Sequence, residues 1–97
     1  MCGIAGYFGG DRKANARHLT DMTMTLKHRG PAGHGTWPSS DLVVGLGHTR
    51  LSVIDVQGGS QPMATRDGTL TITFNGEIYN YKALRQELER MGSSFCT

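Results

Sequence analysis

Hydrophobic and polar residues alternate most regularly between residues 69 and 74. Leu70, Ile72 and Phe74 alternate there with three threonines. Because successive side chains of a strand point to opposite faces, this pattern predicts a half-buried strand whose apolar face is turned toward a core. Asn75-Gly76 follows at once, and this pair is the commonest signal for a two-residue hairpin turn.

Two stretches show helical periodicity instead. Between about Lys13 and Lys27 the predicted buried face consists of Ala16, Leu19, Met22 and Leu26, with Arg17, Asp21 and Thr25 on the opposite face. Between Tyr81 and Met91 one face carries Leu84, Leu88 and Met91. Arg85 and Glu89 stand four residues apart, Asn80 can cap the start of this second helix and Gly92 its end. The chain therefore predicts two one-sided helices packed on sheet.

The remaining apolar runs predict strands. Gly3 to Gly9 is short, apolar and aromatic, which indicates a buried strand that begins beside the amino terminus. Residues 28–35 combine three glycines with a proline, so we predict a loop rich in backbone N–H groups. Leu42–Gly47 and Leu51–Val56 predict neighbouring strands, or one bent strand, around His48-Thr49-Arg50.

Length, composition and charge narrow the class of protein. A chain of 97 residues makes at most one small domain, and its 14 glycines indicate many turns. The net charge of +2 comes from scattered residues and gives no support for nucleic-acid or membrane partners. No apolar run approaches the ~18 residues of a spanning helix and no signal peptide is visible, so we predict a cytoplasmic protein. The cysteines and histidines follow no metal-ligand spacing, which predicts no metal site.

Cys2 is the most informative chemical feature, because it directly follows Met1. Removal of Met1 would leave a thiol and a free amine on one residue. An α-amino group with a pKa of roughly 7.7–8.0 can accept a proton near neutral pH, and a thiol is a strong nucleophile. The arrangement predicts covalent acyl transfer by a terminal cysteine. A Cys can, however, also occupy the second position of a chain without any function.

Four stretches in order give the chain a specific resemblance. They are Met-Cys-Gly-Ile-Ala-Gly at 1–6, His-Arg-Gly-Pro at 28–31, Arg-Leu-Ser-Val-Ile-Asp at 50–55 and Asn-Gly-Glu-Ile-Tyr-Asn-Tyr at 75–81. Their order and spacing resemble class II glutamine amidotransferases. The last two stretches, with Gly-Ser-Gln-Pro at 59–62, resemble more narrowly the amino-terminal domain of glutamine-hydrolysing asparagine synthetases.

The resemblance implies an α+β fold of the N-terminal nucleophile hydrolase type, an αββα sandwich of which these residues are the first half. It implies that Cys2 attacks the side-chain amide of glutamine through a thioester, with an oxyanion hole from the Asn75 side chain and the Gly76 N–H. Arg50 matches the residue that binds the α-carboxylate of glutamine, and Glu77 matches the partner of its α-amino group. Each of these could otherwise be an ordinary surface or hairpin residue.

Further contacts are implied by the same resemblance. Backbone groups of Leu51, Val53 and Ile54 match substrate contacts, while their side chains suit a core. Arg29 and Gly30 match a loop near the nucleophile. The family commonly carries Asp directly after His-Arg-Gly-Pro, where this chain has Ala32.

The implied function is hydrolysis of L-glutamine to glutamate and ammonia, which supplies ammonia for asparagine or a related amide. Residues 1–97 would then be part of a glutaminase domain, without the synthetase domain to which ATP and Mg²⁺ would belong, and this segment itself would hold no cofactor. The alternative is an inactive fragment or interaction module of the same family. For the isolated chain we expect inactivity and self-association, because half of a two-sheet fold leaves apolar faces exposed.

Overall fold

The protein is a mixture of helix and antiparallel sheet, as its sequence predicts. A computed structural model describes residues 2–51 and 59–95. Along the chain we number the elements β1 (Gly3–Phe8), α1 (Arg12–Thr25), a 3-10 helix (Lys27–Arg29), β2 (Gly33–Pro38), β3 (Val44–Arg50), β4 (Met63–Ala64), β5 (Thr71–Ile72) and α2 (Tyr81–Arg90).

Strand β3 is the centre of a three-stranded antiparallel sheet of order β1-β3-β2. In the register, Gly3 of β1 lies opposite Thr49. On the other edge, Gly35 of β2 lies opposite His48. Strands β4 and β5 form a separate two-stranded ribbon.

Helix α1 covers one face of this sheet. It begins at its N-cap residue Asp11, whose side chain accepts a hydrogen bond from the Lys13 amide at 3.0 Å. Leu19 and Thr23 of α1 are fully buried. A Cβ atom at Gly47 would overlap the Thr23 side chain, so the glycine allows the helix to lie close to β3. The hydroxyl of Thr49 joins the layers, accepting from the Gly3 amide at 3.1 Å and donating to the Leu26 carbonyl at 3.0 Å.

The buried face of α1 differs from the predicted one. Leu19 is buried, but Ala16 is exposed and Asn15 is buried in its place. The Asn15 side chain donates to the carbonyls of Gly9 at 2.9 Å and Leu42 at 2.5 Å. Hydrophobic periodicity could not find this residue, because its burial depends on two carbonyl groups, 6 and 27 residues away, that need a donor.

The predicted loop at residues 28–35 is only partly correct, because β2 begins at Gly33. Pairing with β3 overrides the turn signal of the glycines. A single strand, β3, also runs through His48-Thr49-Arg50. The sequence was compatible there with either two neighbouring strands or one bent strand. The second half of that prediction, residues 52–56, lies outside the described residues.

The regular alternation at 69–74 is where prediction and structure differ most. Strand β5 is two residues long, and the predicted buried face of Leu70, Ile72 and Phe74 is exposed. The predicted hairpin at Asn75-Gly76 is wrong, since no strand follows in residues 77–79. The turn that does form connects β4 to β5 and contains Gly68 at φ +73°.

Asp67 organises that turn. The hydroxyl of Thr65 and the amide and hydroxyl of Thr69 all donate to its carboxylate, at 2.7, 3.0 and 2.8 Å. These bonds, with that from Thr65 first, lower the pKa of Asp67 to about 2. The charged carboxylate therefore fixes the turn over the ordinary pH range.

Helix α2 agrees with its predicted bounds. Arg85 and Glu89 form the expected i, i+4 ion pair, with 3.5 Å between Nε and Oε1. Asn80 occupies the N-cap position but makes no side-chain capping bond. The apolar face is exposed, with Leu84 and Leu88 about two-fifths accessible and Met91 at 75%.

Strand β1 is half-buried rather than buried. Its odd residues face α1, while Ile4 and Phe8 on the other face are exposed, Phe8 at 84%. In the parts of the chain that the structure describes, neither helix is long and apolar enough to span a membrane.

We expect the isolated chain to self-associate. Exposed apolar side chains on β1, β5 and α2 make a surface that water solvates poorly. Light scattering after size exclusion should give a mass that rises with protein concentration, and Phe8→Ser with Leu70→Thr should lower it. A monomeric mass at every concentration, with a sharp cooperative melt, would contradict this expectation.

Replacement Asn15→Ala should reduce the free energy of unfolding by about 1–3 kcal/mol, because the carbonyls of Gly9 and Leu42 would lose their donor. Urea midpoints at one fixed protein concentration measure the change. Arg17→Ala, at an exposed position of the same helix, is the control and should stay within about 0.5 kcal/mol. Equal losses for the two variants would show that the Asn15 bonds do not matter.

Candidate functional site

The sheet register brings Cys2 beside the end of β3. Gly3 pairs with Thr49, so the residue before Gly3 comes next to Arg50 and Leu51. The half-buried Cys2 sulfur lies 3.4 Å from the Leu51 amide nitrogen, which donates to it, and 4.0 Å from the Leu51 carbonyl oxygen. Two residues that are 49 positions apart in sequence are thereby in contact.

The loop after the 3-10 helix lies against the same end of β3. Pro31 forms an isolated parallel bridge with Arg50, and the Ala32 amide donates to the Arg50 carbonyl at 3.0 Å. Gly30 is buried, and a Cβ atom there would overlap the backbone of Thr49 and Arg50. Backbone bonds therefore hold this loop without a carboxylate at position 32.

Arg50 borders a cleft of about 160 Å³. Among the residues that the structure describes, the cleft is lined by Ala32, Gly33, His34, His48, Arg50, Ser60 and Gln61. Arg50, Ser60 and Gln61 contribute polar residues to this lining. Cys2 lies near Leu51 rather than among these lining residues.

His48 is the most buried titratable residue of the site, at 1% exposure. Its Nδ1 lies 2.8 Å from the Thr73 hydroxyl. Its Nε2 is buried and has no hydrogen-bond partner among residues 2–51 and 59–95. Burial first, and the nearby charge of Arg50 second, lower the pKa of His48 below its usual 6.5.

Asn75, Gly76 and Glu77 follow β5 and are all exposed. The residues just before them are anchored. Thr73 binds His48, and the Phe74 amide donates to the Gln61 side-chain oxygen at 2.6 Å. The predicted oxyanion-hole pair therefore sits on a tethered segment, although not in the predicted hairpin.

The other predicted site residues are divided between described and undescribed parts of the chain. Arg29 ends the 3-10 helix and is exposed. Val53 and Ile54 lie outside the described residues, as does Met1. The structure thus brings together Cys2, Arg50, Leu51 and Gly30.

Sequence reasoning missed His48, Thr73 and Gln61 as residues of this region. The histidines were considered only as possible metal ligands. The available signal was that His48 stands two residues before Arg50 in a strand, so both side chains share a face. Within the described ranges, no group of three His, Cys, Asp or Glu side chains could hold a metal ion.

Comparison with known proteins gives consistent matches. The whole chain, residues 1–97, matches the family model of the glutamine amidotransferase domain. Asparagine synthetase 1, glutamine-hydrolysing, of Bacillus subtilis (strain 168) is 44% identical over 101 residues, which cover 100% of this chain and 16% of the relative. Asparagine synthetase 3 of the same organism is 40% identical over 99 residues, with 98% and 16% covered.

Plant proteins match similarly. Asparagine synthetase 1 of Arabidopsis thaliana, also glutamine-hydrolysing, is 40% identical over 91 residues, covering 92% of this chain and 15% of the relative. The chain thus spans about 16% of the length of the curated relatives that it matches. The resemblance drawn from the four sequence stretches is confirmed.

The lowered pKa of His48 predicts a pH dependence. As pH falls below 6.5, the unfolded chain takes up a proton at this residue before the folded chain does, so stability is lost progressively until the folded pKa is reached. A titration of the His48 ring by NMR should give a midpoint below 6.5. His48→Gln should remove this part of the pH dependence, and a midpoint at or above 6.5 would contradict the prediction.

Proposed function

Because the chain belongs to the glutamine amidotransferase domain family, we propose that it forms part of a glutaminase site with Cys2 as its nucleophile. The observation that carries the proposal is the contact of the Cys2 sulfur with the Leu51 amide, directly beside Arg50. A terminal nucleophile and a carboxylate-binding cation from distant parts of the sequence would then meet at one place. Leu51, Val53 and Ile54 would add backbone contacts to the substrate.

The proposed reaction requires removal of Met1, which frees the α-amine of Cys2. That amine accepts the thiol proton, directly or through one water, and the sulfur attacks the side-chain carbonyl carbon of glutamine. The carbon–nitrogen bond breaks, the nitrogen takes up a proton and ammonia leaves a γ-glutamyl thioester. Water then attacks the thioester, which releases glutamate and restores the thiol.

Arg50 is the proposed anchor for the α-carboxylate of glutamine. Arg50 lines the cleft, and its backbone is held by the loop at Gly30, Pro31 and Ala32. A guanidinium can bind a carboxylate with two parallel hydrogen bonds, which fixes orientation as well as charge. Arg29 and Gly30 would contribute by shaping this loop.

Asn75 and Gly76 are the proposed oxyanion hole, and Glu77 the proposed partner of the α-amino group. An amide N–H and a side-chain amide aimed at the developing oxyanion typically contribute a hundredfold to a thousandfold in rate per donor. Tethering of Thr73 and Phe74 supports this proposal, since donors must be held in place before the reaction.

We extend the proposal to the larger context through the relatives. Their names describe asparagine synthetases that hydrolyse glutamine. The ammonia would accordingly pass to a synthetase for asparagine or a related amide, where ATP and Mg²⁺ would bind. The fold would be that of an N-terminal nucleophile hydrolase, in which a second sheet and helix layer complete the sandwich.

A second candidate function is an interaction module without glutaminase activity. The observation that favours it is the exposed apolar face of α2 together with β5. Such a surface suits contact with another polypeptide. One experiment separates the two functions.

The experiment is intact-mass analysis after treatment with a glutamine-mimicking alkylator. We would apply it to the 97-residue chain and to a chimera in which this chain replaces the matching segment of the 44% identical relative. Loss of Met1 and one adduct on the chimera, absent in Cys2→Ala, is the expected result. Arg50→Lys should slow adduct formation about tenfold or more, because a bidentate contact is lost.

The control is asparagine formation by the chimera from added ammonium, which bypasses glutamine. Normal formation from ammonium shows that the chimera is folded. If no Cys2-dependent adduct forms on such a chimera, the glutaminase proposal is wrong and the interaction module is favoured. An adduct on the chimera alone would agree with our expectation that the isolated chain is inactive.

A further inference from the structure

The face of the sheet opposite α1 carries a buried polar contact that the proposed reaction does not use. His48 is 1% exposed, and its Nδ1 lies 2.8 Å from the hydroxyl of the half-buried Thr73. Burial of an imidazole is costly unless its nitrogens are bonded, and its Nε2 finds no partner in the described part of the chain. Thr73 therefore provides the hydrogen bond that the His48 ring makes here.

The contact connects two parts of the proposed site. His48 and Arg50 are two positions apart in β3, so their side chains point to the same face, roughly 7 Å apart along the strand. On the other side, Thr73 precedes Asn75 by two residues, and two extended residues span at most about 7 Å. One hydrogen bond thus lies between the strand that carries Arg50 and the segment that carries Asn75.

A second bond restrains the same segment. The Gln61 side-chain oxygen accepts from the Phe74 amide at 2.6 Å. The Gln61 backbone packs against β2, because its carbonyl oxygen occupies the space that a Cβ atom at Gly35 would take. Gly35 is the residue paired with His48. The His48–Thr73 and Gln61–Phe74 hydrogen bonds are therefore made beside the same position of the sheet.

We propose that His48 is a positioning residue of the glutamine site, which through Thr73 holds Asn75 and Gly76 in a fixed place relative to Arg50. The inference rests on the proposed function for the identity of that site. His48 touches neither substrate nor reacting atoms in this role. It sets the separation between the group that binds the α-carboxylate and the donors that face the oxyanion.

The neutral state of the ring suits this role. Burial and the Arg50 charge lower the pKa of His48, so near neutral pH the ring carries one proton and Nδ1 can bond to a hydroxyl as donor or acceptor. A charged ring would instead repel the nearby positive charge of Arg50.

The test is hydrogen–deuterium exchange of the 97-residue chain, followed by mass spectrometry of peptides covering residues 74–77. Thr73→Val removes the hydroxyl at nearly constant volume. We expect exchange in these peptides to become about two- to tenfold faster, the range for one hydrogen bond. Thr73→Ser retains a hydroxyl, so exchange in this variant should be as slow as in the wild type. Thr71→Val, the same replacement two residues earlier in β5, should leave it unchanged.

A double-variant comparison separates this role from a general increase in the mobility of the segment. His48→Leu with Thr73→Val should be no faster than the faster single variant, because each change removes the same hydrogen bond. Additive effects, or equal effects of Thr71→Val and Thr73→Val, would overturn the proposal.

Because the isolated chain is expected to be inactive, L-glutamine is then added to the chimera defined above, which carries either the wild-type segment or Thr73→Val. We expect it to slow exchange near Arg50 and in residues 74–77, with about two- to tenfold more glutamine needed by the variant. If glutamine protects the wild type but Thr73→Val changes nothing, the positioning role is wrong and the glutamine site stands. If glutamine has no effect on the wild type while Thr73→Val still speeds exchange, the assignment to a glutamine site is wrong and a structural tether remains.

Discussion

Antiparallel pairing of β3 with both β1 and β2 is the constraint on which the rest of the structure depends. A strand paired on both edges cannot slip by one residue without exchanging its faces. The register therefore decides that Gly47 and Thr49 meet α1, while His48 and Arg50 face the other way. It also brings Cys2 to Leu51, since pairing of Gly3 with Thr49 places the preceding residue beside Arg50 and Leu51.

The close approach of α1 follows from the same pairing. Gly47 provides space for Thr23, and the Thr49 hydroxyl bonds both the Gly3 amide and the Leu26 carbonyl. Leu19 is the one fully buried apolar side chain in the described ranges, so the layer is held by small residues and hydrogen bonds as much as by apolar burial. Such a contact is rigid, because the Thr49 hydroxyl both accepts and donates a hydrogen bond to a specific partner. A rigid strand is a suitable support for Arg50.

The face of the sheet opposite α1 is contacted in a different way. Residues 59–74 contact it through the His48–Thr73 hydrogen bond and through the Gln61 carbonyl oxygen beside Gly35, while the Gln61–Phe74 bond lies within the segment itself. Beyond them, β5 and α2 expose the apolar residues that their own patterns predict should be buried. The hydrophobic pattern of a helix or strand indicates which of its faces is suited to burial, but a partner surface must be present for burial to occur. In the proposed fold, a further layer would be that partner.

The sequence by itself determined the family, through four stretches whose order and spacing match, and the elements with strong local signals: β1, α1 and α2. It also indicated Cys2, because this residue directly follows Met1, and Arg50, because it lies in one of the matched stretches. Only the tertiary structure decided that Gly33–Pro38 is a strand, that Asn15 replaces Ala16 in the buried face, and that Asn75-Gly76 makes no hairpin. It alone revealed the contact of His48 with Thr73. The physical reason is that local periodicity and propensity act over a few residues, whereas β pairing, buried carbonyl groups and close glycine contacts depend on residues far apart in sequence.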